Sequence, residues 1–229
     1  MKRYRAKVGI YDWRIFYEHF EMENICLNAL RSVNLLPASP SPIRIDRFVE
    51  KKFGINAEYD DLPDGTLGFT KFGRSGVERI VVTKSLDLDQ SISSSRRINT
   101  TLAHESGHGL FHSTLFNFQD SLFEEQIEEK KILCRDELRS IILSGQNNYN
   151  GEWWEYQANV AIGALLLPRP LAEELLEQFT FDSDLLVKNL DEARFEDAVM
   201  CLSETFDVNP AVARIRVREI FPKSQQQSF

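Results

Sequence analysis

The chain has 229 residues, a formal net charge of −8, 42% hydrophobic residues and 27% charged residues. This is an ordinary globular balance, long enough for one sizeable domain or a domain with an appendage, and it excludes a disordered or fibrous chain. The acidic sign argues against a protein that coats nucleic acid without sequence preference.

No apolar run approaches the roughly 20 residues that span a bilayer. The basic start MKRYRAKVGIYDWR is followed by no apolar segment, so no signal peptide is expected. Cys26, Cys134 and Cys201 are odd in number and far apart, which fits neither a disulfide framework nor a CxxC metal site. A reducing, cytoplasmic location follows. Cys134 stands beside Arg135, which can lower a thiol's pKa, although a plain buried thiol is the simpler reading.

Residues 12–33 carry Ile15, Phe16, Phe20, Ile25, Leu30 and Val33 at helical spacing, which predicts a helix. The proline run Pro37, Pro40, Pro42 ends it, because proline lacks the amide donor. A second helix is expected over 44–53, with Gly54 as its C-terminal cap. Segments 55–59, 67–72 and 78–83 are short, apolar and β-branched, and turn residues separate them. They predict a small antiparallel meander.

Ser91 to Ser95 offer N-caps for a helix running through His112. Residues 121–143 read as a highly charged helix and 146–151 as a polar loop. Residues 153–167 have the apolar density of a buried helix, ended by Pro168, and Pro170 suits the start of another. Short helices are expected from about 182 to 221, then a disordered tail over 223–229. The organisation predicted is α+β and mainly helical with a small antiparallel sheet. One domain covers 1–170, and a helical segment over 171–229 packs on it.

The decisive segment is Leu102-Ala103-His104-Glu105-Ser106-Gly107-His108, an H-E-x-x-H pattern on a predicted helix. Histidines at i and i+4 project from one face and can share one ion. Neutral imidazole suits Zn²⁺, and Glu105 follows the first ligand where it can act as general base and then general acid. Three of the four histidines (His104, His108, His112) fall in this one helix, and its flanks are apolar. Burying such groups without a purpose is costly.

His112 is a poor third ligand. Ligands at i, i+4 and i+8 drift by about 12 Å along a straight helix at about 1.5 Å per residue. It is read as an outer partner of the site, a substrate-facing group or a packed side chain. Glu152 and Glu155 compete to complete a His₂Glu set from the following helix. Glu152 falls at the helix start, where an acid is favoured anyway. Glu155 lies inside the helix, shares a face with Asn159 beside small residues, and is preferred.

These residues resemble the ImmA/IrrE metallopeptidases. The likeness rests on RINTTLAHESGHGLFH (residues 97–112) and EYQANVAIGALLLP (residues 155–168). Members show R-x-x-x-T-x-A-H-E-x-G-H-x-x-x-H and later E-x-x-A-N-x-F-A-x-x-L-L-M-P, from which Ile162 and Leu167 depart. Leu62 to Phe69 is similar to a further strand of that family, and the likeness extends over roughly residues 25–220.

The resemblance implies a zincin-like fold, His104, His108 and Glu155 as metal ligands, and Glu105 as the catalytic acid/base. It also implies cleavage of helix-turn-helix repressors in phage, mobile-element or stress control. The charged insert between His112 and Glu155 departs from the family and carries no particular substrate over. Manganese or another divalent ion also suits the donor set. His112, Tyr149 and Tyr156 are the candidate oxyanion donors. A substrate strand is expected to add at an edge near 67–72 or 78–83.

Residues 202–210 and 212–220 resemble a helix-turn-helix, and Arg214, Arg216 and Arg218 make its last helix basic. The acidic chain favours helices that pack on the core over helices that read DNA. Against the protease stand a partner-binding regulator that keeps the metal fold without catalysis, and a DNA-binding regulator. No membrane partner is expected.

Overall fold

A computed structural model describes residues 2–5, 13–73, 75–116, 131–135, 153–182 and 188–222. Helix α1 (His19–Ser32) and α2 (Ile45–Phe53) precede a mixed sheet of β3 (Glu58–Asp60), β4 (Thr66–Gly73), β5 (Gly76–Thr83) and β6 (Lys131–Arg135). A short helix α3 (Lys84–Leu88) leads into the long central helix α4 (Ile92–Phe116). Beyond lie α5 (Trp153–Leu166), α6 (Arg169–Leu176), α7 (Phe195–Phe206) and α8 (Pro210–Ile220). Two small hairpins complete the set, β1 (Lys2–Arg5) with β2 (Trp13–Phe16) and β7 (Thr180–Asp182) with β8 (Lys188–Leu190). The fold is α+β and mainly helical, as expected. Among the described residues no helix is long and apolar enough to cross a membrane.

The first helix begins later than its periodicity suggests. Glu18 is its N-cap, and the Glu18 amide donates to Glu21 Oε2 at 2.9 Å, the reciprocal bond of a capping box. Ile15 and Phe16 belong instead to β2, where Ile15 pairs opposite Arg3 and buries its side chain against Phe72 and Trp153. Tertiary packing thus overrides a local helical pattern. Helix α2 ends as expected, with Gly54 in the left-handed region at φ 72°.

The sheet order is β3-β5-β4-β6. The hairpin β4–β5 is antiparallel, with Phe69 opposite Val81, but β3 runs parallel to β5, with Tyr59 opposite Val82. The expected antiparallel meander is therefore a mixed sheet. All three β3 residues are exposed, and Glu58 Oε2 holds Arg79 Nη2 at 2.6 Å. A polar strand of this kind suits an edge, whereas β4 and β5 carry the buried residues.

The other edge is β6, antiparallel to β4 with Leu133 opposite Phe69. Residues 131–135 were expected to be helical, but a short apolar run suits a strand as well as a helix. The rest of the expected 121–143 helix and the 146–151 loop lie outside the described residues. Both strands expected to offer a free edge, β4 and β5, are paired on both sides.

Helix α4 lies between this sheet and α5. Its start is capped by Ser91, whose Oγ accepts the Ser94 amide at 3.1 Å. One hydrophobic core includes Leu30, Phe48, Leu102, Leu165, Leu202 and Val217, so residues on both sides of position 170 share it. Helices α7 and α8 meet at a tight turn with Asp207 at φ 52°. The expected 223–229 tail lies outside the described residues.

Candidate metal centre

The middle of α4 is buried on every side. His104, Glu105, His108 and His112 are each fully inaccessible to solvent. Helix α5 comes this close because Gly107 has no side chain. A Cβ there would lie 2.6 Å from Ala161 Cβ and 3.0 Å from Ala158 Cα. The close approach sets Glu155 against the two histidines. Its carboxylate Oε2 is 3.1 Å from His104 Nε2 and its Oε1 is 3.5 Å from His108 Nε2. The two Nε2 atoms are 3.1 Å apart.

These distances can be compared with the demands of an ion. Donors about 2.0–2.1 Å from a tetrahedral zinc stand about 3.3 Å from one another. The three separations fall on either side of that value. The donor chemistry agrees. His104 Nδ1–H donates to Asn159 Oδ1 at 3.0 Å, which leaves its Nε2 lone pair facing inward. Two imidazole lone pairs and a carboxylate aimed at one point repel each other unless a cation or proton lies between them.

Burial and mutual charge act on two of the three groups. Burial lowers the His108 pKa, against the opposing pull of Glu155. Burial alone would raise the Glu155 carboxyl, but His108 and His104 beside it outweigh that and hold it well below the usual range. Glu155 keeps 20% of its side-chain exposure, so the site has an opening on that side.

Glu105, one residue after the first ligand, lies on the adjacent flank of the helix and meets β4. Thr70 Oγ lies 2.8 Å from Glu105 Oε2 and 3.0 Å from the Glu105 carbonyl oxygen, so its hydroxyl donates into a buried carboxylate. Gly68 makes room for this contact. A Cβ there would be 2.6 Å from Thr101 Cγ2 and 2.7 Å from the Val81 carbonyl oxygen.

His112 is not a ligand. Its Nδ1 meets His108 Nδ1 at 3.1 Å and its Nε2 meets Gln157 Oε1 at 2.9 Å. The Trp153 ring packs edge-on against it, 5.5 Å between centroids. Burial, then the neighbouring His108, lowers its pKa to about 3, so it is neutral. With both nitrogens engaged it has no donor left for an oxyanion. Tyr156 keeps 44% of its exposure, and partial burial of its phenol, then the Glu219 charge, raises its pKa. The other candidate donor, Tyr149, and the competing ligand Glu152 lie outside the described residues. Thr70, Gln157 and Gly107 escaped the sequence reading. A glutamine at 157, between Glu155 and Asn159 in a helix of high apolar density, is the visible signal for the first partner of His112.

A second group, His19, Glu23 and Glu219, also brings its donor atoms within 4.8 Å of one another. The guanidinium of Arg216 stands among them, with Nη2 at 2.8 Å from Glu23 Oε2 and Nη1 at 3.0 Å from Glu219 Oε2. Its fixed charge already neutralises these carboxylates, so the arrangement is an ion-pair cluster. The arginines of α8 are engaged within the fold. Arg216 is fully buried, Arg214 pairs with Glu196, and Arg218 pairs with Glu192.

No family model matches the chain, and no curated protein is significantly similar to it.

Proposed function

We propose that the chain is a zinc-dependent metallopeptidase with His104, His108 and Glu155 as ligands and Glu105 as the catalytic acid/base. The observation that carries this reading is the meeting of two helices at His104 Nε2 and His108 Nε2, 3.1 Å apart, with one Glu155 carboxylate oxygen 3.1 Å from the first and the other 3.5 Å from the second. A zinc ion held there would supply Lewis-acid polarisation of a peptide carbonyl and would acidify a water. Glu105 would carry a proton from a water to the leaving amine nitrogen. Thr70 keeps the carboxylate aimed through its hydroxyl. His104 is held by Asn159, so its ligand nitrogen keeps one direction.

The substrate class follows from the resemblance to the ImmA/IrrE metallopeptidases, namely site-specific cleavage of a helix-turn-helix repressor or a similar regulator in the cytoplasm. Free Cys26, buried between helices, fits a reducing compartment.

The test is elemental analysis of purified wild type beside Glu155→Ala. The expected result is about one zinc per chain in wild type and none in the variant. Glu105→Gln is expected to keep the zinc and lose proteolysis. Absence of metal from zinc-supplied wild type refutes the metal reading, and full activity of Glu105→Gln refutes the mechanism.

A further inference from the structure

The far side of the ligand triangle is as ordered as the near side. Four groups form a line there: His108 Nδ1, the His112 ring, the Gln157 amide and the main-chain carbonyl of Ile15. The spacings are 3.1 Å from His108 to His112, 2.9 Å from His112 to Gln157, and 2.8 Å from Gln157 Nε2 to the Ile15 oxygen. His108, His112, Gln157 and Ile15 are all buried, so water cannot supply an alternative partner.

A carbonyl oxygen can only accept. The group facing Ile15 must therefore be the NH₂ of Gln157, which turns the Gln157 oxygen toward His112. That oxygen in turn requires an N–H, so His112 carries its proton on Nε2. The His112 Nδ1 is then a lone pair, and it accepts from Nδ1–H of His108. The His108 proton is on the side away from the ligand triangle, and its Nε2 lone pair faces inward. Reversing any one bond sets two lone pairs against each other at the next, ending at a carbonyl that cannot adapt.

We infer that Gln157 and His112 are positioning residues that fix the tautomer of His108, and that the strand carrying Ile15 is the anchor of this relay. The inference rests on the metal reading for its purpose but not for its geometry. Asn159 does the same service for His104 in a single step, so both imidazoles present Nε2 before any ion arrives. The N-terminal hairpin, far from the motif in sequence, thereby controls a metal ligand. The role of His112, open on sequence, becomes specific: an acceptor at Nδ1 and a donor at Nε2.

The tautomers are measurable without metal. In chelator-treated, ¹⁵N-histidine-labelled wild type, long-range ¹H–¹⁵N correlation spectra should show His108 protonated at Nδ1 and His112 at Nε2. The same two protons on the opposite nitrogens would overturn the inference, whatever the protein binds.

Variants give a second readout through zinc dissociation constants measured against a competing chelator. Gln157→Met, which keeps length and removes both polar ends, should weaken zinc binding by about 10- to 100-fold, the usual cost of losing an outer partner of a ligand. His112→Phe should do the same. His112→Asn, whose Oδ1 stands near the former Nδ1 and can accept, should recover most of that loss. Unchanged affinity in Gln157→Met with the His108 tautomer intact would overturn the relay. A wild type that binds no zinc but shows the expected tautomers would instead refute the metal reading and leave the relay standing.

Discussion

Gly107→Ala adds one methyl group between the helix that carries two ligands and the helix that carries the third. The new Cβ would sit 2.6 Å from Ala161 Cβ, 3.0 Å from Ala158 Cα and 3.1 Å from the Ala158 carbonyl oxygen. Two of these three are backbone atoms, so no side-chain rotation relieves them. Restoring ordinary contact at ~3.5 Å requires α4 and α5 to part by nearly ~1 Å. Overpacking of this kind costs about 1–3 kcal/mol. Replacing glycine by alanine inside a helix returns up to about 1 kcal/mol.

The net expectation is a loss of up to about 2 kcal/mol, read as a lower urea midpoint of the metal-free protein at unchanged slope. Zinc affinity should suffer separately, because ligand sets tolerate only about 0.5 Å of displacement. A tenfold or larger rise in the dissociation constant is expected, equivalent to about 1.4 kcal/mol. Gly163→Ala is the control. It lies on α5 where that helix faces α8, and its Cβ would meet Arg216 Cδ and Glu219 Oε2 at an ordinary 3.4 Å. It should leave zinc affinity unchanged. If Gly107→Ala binds zinc like wild type and unfolds at the same urea concentration, close approach of the two helices is not what assembles the site.

Thr70→Val keeps the shape of the side chain and removes the donor to Glu105. It should retain zinc and lower kcat more than it raises KM, and equal kcat would show that Thr70 does not position the carboxylate. Glu23 is expected to govern acid stability. Burial would raise its pKa, but Arg216 and His19 outweigh that and lower it to about 2. A depressed folded pKa gives stability that is present above the unfolded value near 4.3 and lost as pH falls toward 2; for this shift it amounts to about 3 kcal/mol. Glu23→Gln should therefore unfold more easily at pH 7 and show a flatter stability curve between pH 4.5 and 2, and a variant matching wild type at neutral pH would refute the assignment. Cys26 is fully buried, and burial pushes its thiol up. A thiol reagent should leave it unmodified in the native chain and label it on denaturation, and native-state labelling at the exposed-thiol rate would contradict its burial.

The sequence by itself carried the local chemistry. His104 and His108 share a helix face because 3.6 residues make a turn, and Glu105 follows from the same spacing. The caps at Ser91 and Gly54, and the end of α5 at Pro168, are equally local and equally legible. The α+β, mainly helical character was visible for the same reason. Pairing in the sheet was not, because β3 and β6 are placed by which sheet edge stays open and polar, a property of no single segment. The strand around Ile15 mimicked a helix until its burial against Phe72 and Trp153 decided otherwise.

The site divides along the same line. Spacing left Glu152 and Glu155 open and gave His112 three readings. The approach of α5 at Gly107 puts Glu155 within 3.5 Å of both histidines, and the Ile15 carbonyl gives His112 its direction. Arg214, Arg216 and Arg218 each meet a carboxylate, since Glu23, Glu192 and Glu196 come to them only in the folded chain. Ligand type and helical phase are written in neighbouring residues. Distances between elements, tautomers and ion partners depend on atoms contributed from far along the chain, and only the tertiary structure brings those together.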